Sequence, residues 1–133
     1  MNRRPSWRKL SRQQRYRLPI DQVPRADVEL DPLAVDRFGR FIAMVQERAP
    51  GHVCPIYIDV LLRPAGPEAV TAWTPPSERI RGTLVGRLTG PAVPAYAAVL
   101  AGLARDQAPM ASFTAHQLAP GRYTAFVEGW PPD

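Results

Sequence analysis

The sequence predicts an α+β two-layer sandwich, about four mostly antiparallel strands with two helices packed on one face, preceded by a basic N-terminal arm. Three observations lead there. Segments 31–48 and 93–107 repeat apolar residues at helical spacing, whereas 56–63, 79–88, 110–118 and 122–130 are short, strand-like runs set off by proline or glycine. All seven cations of residues 1–17 stand in a stretch without a single acid.

Residues 1–24 read as a flexible arm and linker, and 25–133 as one domain. The formal charge of +5, from 17 basic and 12 acidic residues, divides into +7 on residues 1–17 and −2 on the remainder. Arg3, Arg4, Arg8, Lys9, Arg12, Arg15 and Arg17 are interleaved with Trp7 and Tyr16, a pattern that can pair phosphates while stacking on bases. A solvated terminal tail is the plainer reading. Arg outnumbers Lys 16 to 1, as a GC-rich coding bias alone would produce. The arm lacks the continuous apolar region of a secretory signal, and Trp7, Leu10 and Leu18 make no continuous face for a transit helix, so a cytoplasmic location is expected. No apolar run approaches the roughly 20 residues that span a bilayer.

The first helix starts where Asp31 can cap and Pro32 can take the first helical position. Ala34, Phe38, Phe41, Ile42 and Val45 supply its apolar stripe, Asp36 and Arg40 can pair on its outer face, and Ala49-Pro50-Gly51 ends it. The strand at 56–63 sets Ile56, Ile58, Val60 and Leu62 on one side and Tyr57, Asp59, Leu61 and Arg63 on the other. Five prolines and glycines in 64–78 predict a long connection with one helical turn over 68–73, in which Trp73 is a buried anchor.

In 79–88, Ile80, Leu84 and Leu88 share a face with Gly82 and Gly86, while Arg79, Arg81 and Arg87 line the other. The glycines suggest a bulge or a close backbone approach. Helix 93–107 carries Tyr96, Val99, Leu100 and Leu103 on one stripe and Ala95, Ala98 and Gly102 on a second, which would suit burial on two sides or a homo-oligomer contact. The final hairpin turns at Pro120-Gly121, whose type II geometry calls for a longer loop or an adjacent bulge. No internal sequence repeat is evident, although both halves share a helix-then-two-strands rhythm.

Catalytic chemistry finds little support. Ser112 and His116 fall roughly 13 Å apart on one strand. His52 and Cys54 sit beside the first strand, where a small buried cysteine is the commoner outcome, and His52, Cys54 and His116 have no metal-ligand spacing. The glycines at 82, 86 and 90 match neither a Walker A loop nor a dinucleotide fingerprint. No enzyme activity, metal or cofactor is therefore expected. Charge segregation points instead to a small accessory protein that binds nucleic acid or a nucleoprotein complex through the arm, with Arg63, Arg79, Arg81, Arg87 and Tyr57 on an adjoining sheet face. The rival reading of that face is a merely solvated one, its arginines paired with Asp59 and Glu128. The alternative is a protein-interaction module, an adaptor, structural subunit or inhibitor of the kind viruses and mobile elements encode, docking on an acidic protein surface.

Overall fold

The computed structural model describes residues 4–51 and 55–132. Its elements in chain order are α1 (Trp7–Leu10), β1 (Gln14–Arg17), β2 (Ala26–Leu30), α2 (Pro32–Arg48), β3 (Ile56–Gly66), β4 (Ala69–Trp73), β5 (Leu84–Thr89), α3 (Val93–Ala101), β6 (Gln107–Ala119) and β7 (Arg122–Glu128). Six strands close into an antiparallel barrel in the order β2-β5-β4-β3-β6-β7, with β7 returning to β2, and β1 joins β6 as a parallel seventh strand. The expected four-stranded sandwich is therefore replaced by a barrel. The two longer helices, α2 and α3, are not side by side on one face: they span opposite mouths.

Connectivity dictates that placement. α2 joins the end of β2 to the start of β3, and α3 joins the end of β5 to the start of β6; both pairs are three strands apart around a ring of six. Each helix must cross an opening, and because β2 and β5 are antiparallel the two openings are opposite ends. The halves β2-α2-β3-β4 and β5-α3-β6-β7 also exchange into one another: swapping them turns pairing β3–β4 into β6–β7, and β4–β5 into β7–β2, leaving β2–β5 and β3–β6 in place. The rhythm legible in the sequence is this pseudo-two-fold, shifted by one strand. β5 opens the second half rather than closing the first.

Local sequence explains the other departures. Gly66, at φ 144°, turns β3 into β4, so the proline-rich connection holds a hairpin where a helical turn over 68–73 was expected. Of the predicted 79–88 strand only 84–88 is strand, within β5, and Ile80 is exposed. Gly86 explains itself: a Cβ there would lie 2.3 Å from the Glu29 carbonyl oxygen on β2. α3 stops at Ala101, where the Gly102 N–H bonds back to Ala98, rather than continuing to 107. α2 matches its predicted span, with the Asp31 carboxylate accepting from the Leu33 N–H at 3.1 Å, but Phe41 faces solvent. At the last turn the register shifts between Gln117 and Ala119, the bulge that a Pro-Gly turn requires.

The barrel is filled by the inward alternation of its strands: Ala26 and Val28 on β2, Val60 and Leu62 on β3, Val70 and Ala72 on β4, Ala111 and Phe113 on β6, and Ala125 and Val127 on β7. α2 closes one mouth through Phe38, which contacts the rings of Phe113 and Tyr123. At the other mouth Tyr96 of α3 is fully buried and its hydroxyl donates to the Val127 carbonyl at 3.3 Å. α3 packs on β4, and β7 is the strand opposite β4, so one phenol ties the helix to the far wall.

Burial, and secondarily Glu128, raises the Tyr96 pKa, and burial raises that of Tyr123. A folded-state pKa above the unfolded value of 10.0 means that folding favours the neutral phenol, so this stability is complete below pH 10 and is lost as pH rises beyond it. Urea midpoints should thus hold from pH 7 to 9 and fall above pH 10. Tyr96→Phe should cost about 1 kcal/mol at pH 7, the lost bond to Val127, and should make the alkaline fall shallower. A fall as steep in Tyr96→Phe as in the parent would contradict this account.

Candidate functional site

The basic segment expected to be a flexible arm is built into the barrel wall. Ser6 caps α1, its hydroxyl accepting from the Lys9 N–H, and Leu10 is buried. Gln14–Arg17 pairs in parallel with Gln107–Met110. The chain then passes across β7's end, where Trp130 N–H bonds the Leu18 carbonyl and Ile20 N–H bonds the Trp130 carbonyl. Two glycines admit this strap: a Cβ on Gly129 would lie 2.5 Å from the Leu18 oxygen, and one on Gly82 would lie 3.1 Å from the Pro5 ring and 2.3 Å from the Thr74 carbonyl.

An apolar row on the outside of the barrel explains why the strap lies there. Leu84, Trp73, Leu61 and Met110 stand side by side across β5, β4, β3 and β6. Trp7 and Leu10 from α1 pack on that row, together with Trp130 and Ala108. Trp73 is the buried anchor expected, its indole N–H bonded to the Thr71 hydroxyl at 2.8 Å. Both faces of β4 are consequently dry.

Beyond that row, between strap and α3, opens a groove of about 810 Å³. Arg4 and Lys9 of the strap line it, with Arg63 of β3, Arg81 of the 74–83 segment and Arg105 of the turn after α3; among the described residues lining it there is no carboxylate. Leu10, Leu61, Leu100, Leu103 and Pro109 give it aliphatic surface. A shallower hollow of about 420 Å³ adjoins it, where Arg8 and Arg12 join Lys9 and Arg105, with Asp106 the acid present. Arg4 is fixed by bonds from its guanidinium to the carbonyls of Gly82, at 2.9 Å, and Arg81, at 3.2 Å. The Arg63 guanidinium lies 5.6 Å from the Trp73 ring centroid, and partial burial lowers its pKa.

The predicted binding residues therefore divide. Arg4, Arg8, Lys9, Arg12 and Arg81 meet around the two hollows, joined by Arg63 and by Arg105, which sequence reading left out of the site. Trp7 is spent on the outer apolar cluster, and Tyr16 on the barrel core, its hydroxyl 3.4 Å from Gln22 Oε1. Arg15 is exposed on β1, and Arg17 sits over Trp130 at 5.1 Å. Arg79 and Arg81 belong to the irregular 74–83 segment rather than to a strand, and Arg87 is on β5, paired with Glu29 at 3.6 Å. Arg63 and Arg87 do share an outer row, separated by Thr71. Arg3, His52 and Cys54 lie outside the described residues. Among the described residues no three His, Cys, Asp or Glu side chains gather as metal ligands, and no helix is long and apolar enough to cross a membrane. The 93–107 helix expected as an oligomer contact is shorter, with Ala98 and Gly102 exposed. No family model, curated protein or solved structure matches the chain.

Because Gly129 meets the backbone of Leu18 and Pro19, Gly129→Ala must push the strap outward. A loss of about 1–3 kcal/mol is expected, with faster tryptic cleavage after Arg8, Arg12 or Arg15 and unchanged far-ultraviolet circular dichroism. Parent-like cleavage would show that the strap does not depend on this contact.

Proposed function

We propose that the protein is a non-enzymatic nucleic-acid-binding module whose binding surface is the groove between strap and barrel. The observation that supports this is the convergence of Arg4, Lys9, Arg63, Arg81 and Arg105 on one concavity whose lining holds no carboxylate among the described residues. Five cations at one concavity set up a field that a single small anion would leave largely uncompensated. A polyphosphate backbone compensates it residue by residue, releasing its own counterions as it does so. Arginine adds two-point hydrogen bonding to phosphate oxygens. Built onto a barrel, these groups lose less backbone freedom on binding than those of a free tail.

Anisotropy of a labelled mixed-sequence oligonucleotide, single-stranded or duplex, across a salt series tests the reading. Log K should fall linearly with log[salt]. The triple variant Arg8→Gln, Lys9→Gln, Arg12→Gln should flatten the slope by up to about 2 on a single strand, at about 0.7 per phosphate contact, or by nearly 3 on duplex DNA. Neutralising Arg37, Arg40 and Arg48 on α2 removes equal charge at the opposite mouth and should leave most of the slope. Absence of binding at low salt, or equal effects of the two triples, would overturn the proposal.

A further inference from the structure

Resting on that reading, we infer that the groove takes a single strand, with a base stacked on the Arg63 guanidinium. Shape is the first ground. Proteins that read duplex DNA insert a convex helix or ribbon into its grooves, and the duplex itself is stiff over about 150 base pairs. Here the cations line a concavity from several segments, Arg4 and Lys9 from the strap, Arg63 from β3, Arg81 from the 74–83 segment and Arg105 from the turn after α3. A duplex laid over it meets the rims. A single strand can enter and place successive phosphates against several of these cations.

The lining is the second ground. Leu10, Leu100, Leu103 and Pro109 offer aliphatic surface to the faces of unpaired bases, which a paired base keeps hidden in its stack. Arg63 is held differently from the other cations. Its guanidinium lies over Trp73, 5.6 Å from the ring centroid, and Trp73 is itself locked by burial and by the bond to Thr71. A planar cation held beside a locked indole presents a guanidinium plane at the groove, and such planes serve as stacking partners for unpaired bases. Stacking of this kind is tolerant of base identity, so weak sequence preference is expected.

Competition between a single strand and the duplex of the same sequence, at one salt concentration, should show the single strand binding at least tenfold more tightly. Arg63→Lys keeps the charge but not the plane. It should weaken single-strand binding about 5- to 20-fold while leaving the salt slope unchanged, whereas Arg63→Gln should weaken binding and also flatten the slope. Circular dichroism and the urea midpoint of both variants establish that the barrel is intact. Equal or tighter duplex binding that still responds to the Arg8, Lys9, Arg12 triple would overturn the single-strand inference and leave the nucleic-acid reading standing. Parent-like affinity in Arg63→Lys would overturn the stacking role, and failure of both probes to bind would overturn the whole.

Discussion

The structure depends on how β6 divides one of its edges. Thirteen residues long, it pairs β3 on one side, while on the other its first residues take β1 and its later ones take β7. β7 leaves at the Ser112–Glu128 pair, so residues 107–110 would otherwise show unpaired backbone groups, an edge that invites pairing with another chain. Gln14–Arg17 fills that length. With the edge occupied, the chain must cross β7's end to reach β2, and only the missing side chain at Gly129 leaves room for it to pass. Closure of the barrel and placement of the basic segment are one constraint.

Charge works against this arrangement. A segment whose described residues carry six cations and no acid is laid on a barrel whose groove already bears Arg63, Arg81 and Arg105. Repulsion between exposed charges is small, about 1 kcal/mol at 4 Å in water and less in salt. Burial of Leu10 alone contributes about 1.5–3 kcal/mol, and Trp7 adds area on the same apolar row. Apolar docking therefore wins. The electrostatic cost is not removed but held in place, as a positive field around a concavity.

What was legible in the sequence was local. Asp31-Pro32 marked a helix start because capping is decided within four residues, and Pro120-Gly121 marked a turn with a bulge for the same reason. β1, β2 and β4 were missed because each is four or five residues long, too short for alternation to stand out, and β4 sits in a stretch whose prolines suggested irregular chain. Dryness on both faces of β4 also erased its alternation. Closure was invisible, since it depends on β2 and β7 meeting across a separation of about a hundred residues. At the site, the cations of the segment were read but Arg105 was not, because it follows a helix and no local pattern ties it to Lys9. A run of like charge distant in sequence from an isolated arginine carries no signal until the chain has folded.

The pseudo-two-fold sharpens what is particular to one half. Its operation carries the outer row Leu84, Trp73, Leu61, Met110 onto the strands β2, β7, β6 and β3, where the neighbouring outer residues in register are Asp27, Phe126, Thr114 and Tyr57. That row is mixed and polar. Tyr57 is 68% exposed, and the Arg25 guanidinium lies over Phe126, 4.0 Å from its ring, with Arg25 also paired to Glu128. The backbone thus offers two equivalent outer walls and the side chains make only one of them sticky. A strap with one apolar helical turn settles on the apolar wall, which is why its cations gather at the α3 mouth.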